Sequence, residues 1–215
     1  SLFRVMPINS FGVGVASTPV AVTPRRVASA PTALSIAPSD QQLTLVWSAP
    51  ASDGGSAIVG YRIETSVDGA TWTTALDTTG PATAVVLTGL TNGTALMVRI
   101  RAITAAGVGA DSTPVTSTPA GLPGRPGTPV VVAGDATVTL SWSAPVTNGG
   151  AVISSYVVER SVDSGATWST ATTVATKTVT LNGLVNGTAY AFRVRAVNPA
   201  GTGLPSGLAA ATPSA

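Results

Sequence analysis

Few side chains in this 215-residue chain could do chemistry: nine Asp and Glu, eleven Lys and Arg, four Trp, and neither His nor Cys. The lack of His removes the commonest general base. The lack of Cys removes the thiol nucleophile, the thiolate metal ligand and any disulfide, so Ser-His-Asp and Cys-His arrangements are excluded. Paired carboxylates could still work as acid and base, but Asp40, Asp53, Asp68, Asp77, Asp111, Asp135 and Asp163 mostly stand singly among turn residues. Asp is favoured there because its side chain bonds to nearby backbone. Turn chemistry is the reading, and no residue is assigned a catalytic role. Calcium would need several converging oxygens, and the D-x-[DN]-x-[DN]-G spacing does not occur, which leaves at most a weak site at Asp53 or Asp163. No metal ligand, cofactor or cofactor-binding residue is assigned.

Two further groups invite a binding role. Arg99, Arg101, Arg193 and Arg195, with Arg62, Glu64, Glu159 and Arg160, could form a ligand-binding stripe. The simpler reading is cross-strand charge pairing on a solvated face, worth roughly 0.2 to 1 kcal/mol per pair. Trp72 and Trp168 could stack on sugars; the simpler expectation is that each lies on a short edge strand and covers the end of its own core. No Arg-Gly-Asp tripeptide occurs.

Charged residues make up 9% of the chain and the net charge is +2, with the arginines spread along the sequence. Nucleic-acid binding requires a clustered basic face that displaces several counterions, and no such cluster is present. No apolar run approaches the roughly 20 residues of a membrane-spanning helix. The opening residues lack the charged and apolar regions of a signal peptide, and a start within a strand reads as a piece of something longer.

The elements that would position these residues form a repeat. LNGLVNGTAYAFRVRAVN (181–198) matches LTGLTNGTALMVRIRAIT (87–104), and the opening SLFRVMPIN (1–9) matches the end of both. Trp47 and Trp142, Tyr61 and Tyr156, and Arg99 and Arg193 recur at an interval of about 95 residues, long enough for each unit to bury its own core. Residues 1–24 read as the last two strands, the F–G hairpin, of a domain whose earlier strands are absent; the alternative is that they complete a neighbouring subunit by strand addition. Residues 25–32 are a linker, 30–118 a complete domain, 119–129 a Pro/Gly-rich semi-rigid linker, and 123–213 a second complete domain.

Period-2 alternation places Leu43, Leu45 and Trp47, then Tyr61 and Ile63, then Val98, Ile100 and Ala102 on buried faces, with Arg62, Glu64, Arg99 and Arg101 pointing outward. The second domain repeats this with Val138, Leu140 and Trp142, with Tyr156 and Val158, and with Tyr190, Phe192, Val194 and Ala196. APASDGGS and APVTNGGA are loops, and Gly12 and Gly14, Gly107 and Gly109, and Gly201 and Gly203 mark the last turn of each unit. Helical periodicity is missing. An all-β fold of about seven short strands per unit, a tandem immunoglobulin-like β-sandwich, is predicted.

These residues resemble tandem fibronectin type III domains of the Ala, Thr, Val and Gly-rich kind found in secreted bacterial proteins. The resemblance rests on Trp47 and Trp142, Tyr61 and Tyr156, the Gly-Leu-x-Asn-Gly-Thr lead into the sixth strand, and SVDGATW and SVDSGATW. The family pattern also implies a corner Tyr at the start of that strand; Tyr190 fits, whereas Leu96 and Ser1 do not. The fold hosts many roles. The expectation is a non-enzymatic, extracellular or cell-surface spacer whose partners are copies of itself or neighbouring domains, as in a filament, sheath or appendage. An accessory module of a polysaccharide-degrading enzyme and an adhesin binding a glycan or protein ligand are the alternatives.

Overall fold

Alternating apolar and polar residues can seal one face of a sheet, and two such sheets must meet to exclude water. A computed structural model covering residues 1–215 shows that arrangement twice, built from strands and turns. Four short strands come first: β1 (Leu2–Phe3), β2 (Ile8–Asn9), β3 (Gly12–Val13) and β4 (Val20–Ala21). β1 pairs with β4 and β2 with β3, both antiparallel.

The first complete domain contains β5 (Thr32–Ser39), β6 (Gln42–Ser48), β7 (Ile58–Ser66), β8 (Thr73–Asp77), β9 (Ala84–Leu87), β10 (Leu96–Thr104), β11 (Gly107–Asp111) and β12 (Val115–Ser117). One sheet has the order β5-β6-β9; the other has the order β11-β10-β7-β8, with β12 also on β10. In sandwich lettering these are strands A, B and E against C′, C, F and a divided G. The second domain repeats the plan with β13 (Val130–Gly134), β14 (Thr137–Ser141), β15 (Ser155–Ser161), β16 (Ser169–Val174), β17 (Thr178–Asn182), β18 (Tyr190–Asn198), β19 (Gly201–Thr202) and β20 (Ala209–Ala211). Its sheets run β13-β14-β17 and β16-β15-β18-β19, with β20 on β18.

The G strand divides for a local reason. The Ser112 N–H donates to Ile100 O, while the Ile100 N–H turns to Ser112 Oγ at 3.0 Å. Ser206 and Val194 repeat the exchange. A buried hydroxyl thus substitutes for one ladder bond, and the chain bulges beside Pro114 and Pro205. Strand A runs through Pro38 and Ser39, and the turn falls at Asp40-Gln41, where Gln41 has φ 55°.

Each core is built around a Trp on strand B and a Tyr on strand C. Trp47 meets Tyr61 edge-on at 5.1 Å, and Trp142 meets Tyr156 at 5.6 Å. Leu43, Leu45, Ile63, Val98, Ile100 and Ala102 complete the first core; Val138, Leu140, Val158, Phe192, Val194 and Ala196 complete the second. The side chains expected to point inward are those sealed from water.

The two domains differ at the corner before strand F. The Val185 N–H donates to the Tyr190 hydroxyl at 3.1 Å, and the Tyr190 ring stacks on Phe192. Leu96, at the matching position, has no hydroxyl to accept such a bond. One net hydrogen bond is worth about 1 kcal/mol. The first domain is therefore expected to melt before the second in calorimetry. Tyr190→Phe should lower the second transition by about 4–8 °C while leaving the first in place. An upper transition that does not respond to Tyr190→Phe would contradict the assignment.

Candidate functional site

The charged residues of strands C and F meet on the outer face of the larger sheet. In β7 and β10, Glu64 lies opposite Arg99, and in β15 and β18, Glu159 lies opposite Arg193. Arg99 Nε donates to Glu64 Oε2 at 2.6 Å, its Nη1 reaches Asp111 Oδ2 at 3.1 Å, and its guanidinium lies 4.2 Å from the Trp72 ring centre. Arg193 pairs with Glu159 and lies 4.1 Å from the Trp168 ring centre. Arg195 also approaches Glu159, at 3.5 Å. Arg62 faces Arg101 across the strands, a like-charged pair whose members turn elsewhere: Arg62 takes Asp77 in a two-pronged contact, and Arg101 Nε donates to Gly109 O.

This is charge pairing rather than an open stripe. It extends beyond simple cross-strand pairs, because the tryptophans belong to it. Trp72 and Trp168 precede β8 and β16 and lie against the arginines on the outer face, not over the end of the core as expected. Each cation–π contact is worth about 0.5–2 kcal/mol. The layer covers Glu64 so fully that the residue is only 8% exposed, although it sits on the outward side of its strand. An unpaired carboxylate at that depth would be strongly destabilising. A sugar stacking on the Arg-facing side of either Trp would have to displace a guanidinium.

Three of the turn carboxylates, Asp53, Asp68 and Asp163, are bound by their own loops. Asp53 Oδ1 accepts from the Gly55 N–H. Asp68 Oδ1 accepts from the Thr71 and Ala70 N–H groups and the Ser66 hydroxyl, which together hold its carboxyl down at about 2. Asp163 accepts from the Ser161 and Thr167 hydroxyls and the Thr167 N–H, and lies well below the usual carboxylate range for the same reason.

The most developed polar feature was not anticipated: each domain grips the segment that leads into it. In the first domain, the Arg26 N–H donates to Gly54 O, the Ser29 N–H to Ser52 O and the Ala110 N–H to Ala28 O. In the second, the N–H groups of Gly121, Gly124 and Gly127 donate to Gly149, Thr147 and Ser143 carbonyls at 2.8–3.1 Å. Pro123, Pro126 and Pro129 are buried. Buried proline and bonded glycine each recur every three residues, the repeat of a polyproline II strand. The linker expected to be a semi-rigid spacer is a docked strand of its domain.

Glycines make the fit possible. A Cβ on Gly54 would stand 2.0 Å from Arg26 O, and one on Gly149 would stand 2.1 Å from Gly121 O. One on Gly109 would stand 2.6 Å from Ala28 O, and one on Gly203 would stand 2.3 Å from Pro123 O. Each incoming segment therefore runs between a loop glycine before strand C and a G-strand glycine. The second glycine of each final turn serves close approach, not turning. The Asn198 amide adds two bonds in the second domain, donating to Gly121 O at 2.9 Å and Asn148 O at 2.8 Å.

Two antiparallel sheets, a Trp-Tyr core pair and a docked entry segment define an immunoglobulin-like sandwich module. Residues 29–118 and 125–212 each match the fibronectin type III domain family, and the chain belongs to it. The chain is 42% identical to Endoglucanase B of Cellulomonas fimi over 166 residues, 74% of this chain and 15% of that one. It is 30% identical to human Myomesin-2 over 223 aligned positions, 95% of this chain and 15% of that one. The FN1–FN3 domains of chicken CNTN1 share the fold across the whole chain, with a TM-score of 0.53 and 22% identity, covering 75% of that structure. The chain thus spans about a sixth or less of the length of these curated relatives. They come from an animal and a bacterium, so the family match does not carry the bacterial origin that the resemblance implied.

Two outcomes test this site. Gly149→Ala combines a φ of 73° with the collision at Gly121 O. It should destabilise the second domain by on the order of 1–3 kcal/mol and speed amide exchange at Gly121, Gly124 and Gly127; unchanged exchange there would refute the clamp. Asp68, held at about 2 against an ordinary 3.8, contributes stability that is present above the unfolded value and lost as pH falls through the folded one. The first domain's melting temperature should fall between pH 4 and 2, and Asp68→Asn should flatten that fall.

Proposed function

We propose that this chain is a non-catalytic spacer of a longer extracellular protein, holding other parts at a distance without binding a ligand of its own. The observation that carries the reading is the docking of each entry segment into its domain by backbone hydrogen bonds, Arg26 to Gly54 and Gly121 to Gly149. Such a joint uses main-chain groups and glycine clearance in place of a specific surface, and it recurs in both domains. The outer charged face supports the same reading. Arg62, Arg99 and Arg193 are already committed to Asp77, to Glu64 and Asp111, and to Glu159, so a ligand reaching for these three would have to break ion pairs before making contacts.

A second reading is favoured by the likeness to Endoglucanase B and to Exoglucanase B of Cellulomonas fimi, the latter 34% identical over 80% of this chain and 16% of that one. In that reading the two domains are an accessory part of a polysaccharide-degrading enzyme whose catalytic domain lies elsewhere. A domain exchange in the parent protein separates the possibilities. Replacing residues 25–213 with two unrelated fibronectin type III domains should leave the parent's activity intact if the pair only spaces. The same exchange should abolish binding to insoluble polysaccharide if the pair supplies an accessory binding surface.

A further inference from the structure

The chain holds six asparagines, and four of them, Asn92, Asn148, Asn182 and Asn186, are followed by glycine. An Asn-Gly pair can lose its amide without an enzyme. The nitrogen of the following residue attacks Asn Cγ, ammonia leaves, and water opens the five-membered succinimide that results. Opening at one carbonyl gives aspartate. Opening at the other gives isoaspartate, in which the side-chain methylene has entered the main chain. Glycine admits the attack because it carries no Cβ to crowd the ring. Ring closure needs a free backbone nitrogen and an amide free to swing onto it, and the four sites differ in both.

Asn92 and Asn186 are pinned. Asn92 Nδ2 donates to Asp40 Oδ1 at 2.7 Å, and its Oδ1 accepts from the Gln41 N–H at 2.8 Å. Asn186 is held in the same way by Asp135 Oδ1 at 2.7 Å and the Ala136 N–H at 2.8 Å. The attacking nitrogens are occupied too, since the N–H groups of Gly93 and Gly187 donate to Pro119 O and Pro213 O, both at 2.9 Å. Asn182 ends β17 in register with Thr137, and closing the ring would turn its peptide plane out of that pairing.

Asn148 lacks those restraints. It is exposed in the loop before strand C, and the Gly149 N–H donates to no acceptor. The peptide between the two residues is held only through Asn148 O, by the Asn198 amide at 2.8 Å. Asn148 Oδ1 accepts from the Gly150 N–H at 2.9 Å, an Asx turn that keeps the amide carbon over the loop backbone and draws electron density from it.

We propose that Asn148 is a spontaneous deamidation site whose isoaspartate product opens the entry clamp of the second domain. The added methylene falls between residue 148 and Gly149, whose carbonyl holds the Gly121 N–H and where even a Cβ would stand 2.1 Å from Gly121 O. The aspartate product leaves the clamp shut. Asp53 occupies the matching place in the first domain and accepts from the Gly55 N–H at 2.8 Å, as Asn148 does from Gly150. One site thus yields a silent product and a releasing one, and the first domain has no amide there to lose.

The test ages the whole chain in mildly alkaline heavy-oxygen water and maps label uptake by mass spectrometry, with an isoaspartyl methyltransferase marking isoaspartate. Asn148 should take up label at least about tenfold faster than Asn92 and Asn186, which must first give up a hydrogen bond to a charged carboxylate. In denaturant the four pairs should react at similar rates, because the fold sets the difference. Molecules carrying isoaspartate at 148 should show faster amide exchange at Gly121 and Gly124, whereas freshly prepared Asn148→Asp should not. Faster reaction at Asn92, Asn182 or Asn186 than at Asn148, or isoaspartate at 148 that leaves those two amides protected, would overturn the proposal.

Discussion

Strand F constrains everything else in each domain, because it has hydrogen-bonded neighbours on both sides and commitments on both faces. In β18 the residues alternate without exception between buried and partly exposed from Tyr190 to Asn198. The buried set fills the core against Trp142 and Tyr156, while Arg193 and Arg195 meet Glu159 outside. A slip of one residue against strand C would drive both arginines into the core and expose Phe192 and Val194. The charge pairs and the apolar core therefore specify the same register, and neither face can be rearranged without the other.

Once strand F is fixed, the ends of the domain follow. Its last residues lead into the glycine turn that delivers Gly109 or Gly203 beside the entry segment, and the loop before strand C brings Gly54 or Gly149 to the other side. Backbone can approach backbone this closely only where no Cβ intervenes. The entry segment satisfies its own amides against these loops, as buried backbone requires. A chain with few charged residues and no disulfide obtains order at its domain ends through main-chain pairing.

What was legible in the sequence is what local spacing encodes. Period-2 alternation identified the inward residues of strands B, C and F, and the repeat interval identified two domains. Asx chemistry at Asp68 and Asp163 was readable from residue type. What escaped depends on partners far apart in the chain. Trp72 lies near Glu64 in sequence but meets Arg99 only through the pairing of β7 with β10. Gly109 and Gly203 looked like turn glycines because nothing local distinguishes a turn from a close approach to Ala28 or Pro123. One local signal was present: the three-residue spacing of Pro123, Pro126 and Pro129 marks a regular strand with one buried side, which a flexible spacer would not need.

The differences between the two domains at matching positions show which features are architectural. Glu64, Arg99 and Trp72 recur as Glu159, Arg193 and Trp168, while Asp77 and Asp111, which complete the first layer, have Thr173 and Pro205 at their matching places. The inner members of the layer are constant and the peripheral ones vary, the pattern of a structural lid over a Glu that is buried in the first domain and half-buried in the second. At the end of strand F, Thr104 and Asn198 both turn a side-chain oxygen onto the following backbone N–H groups. Only Asn198 has an amide that extends to Gly121 O. The first domain instead reinforces its entry with the Ser29 hydroxyl, which accepts from the Ser52 N–H and donates to Ser52 O. Two unrelated side-chain solutions hold the same backbone junction, so it is the docked junction, and not any particular surface residue, that both domains are built to preserve.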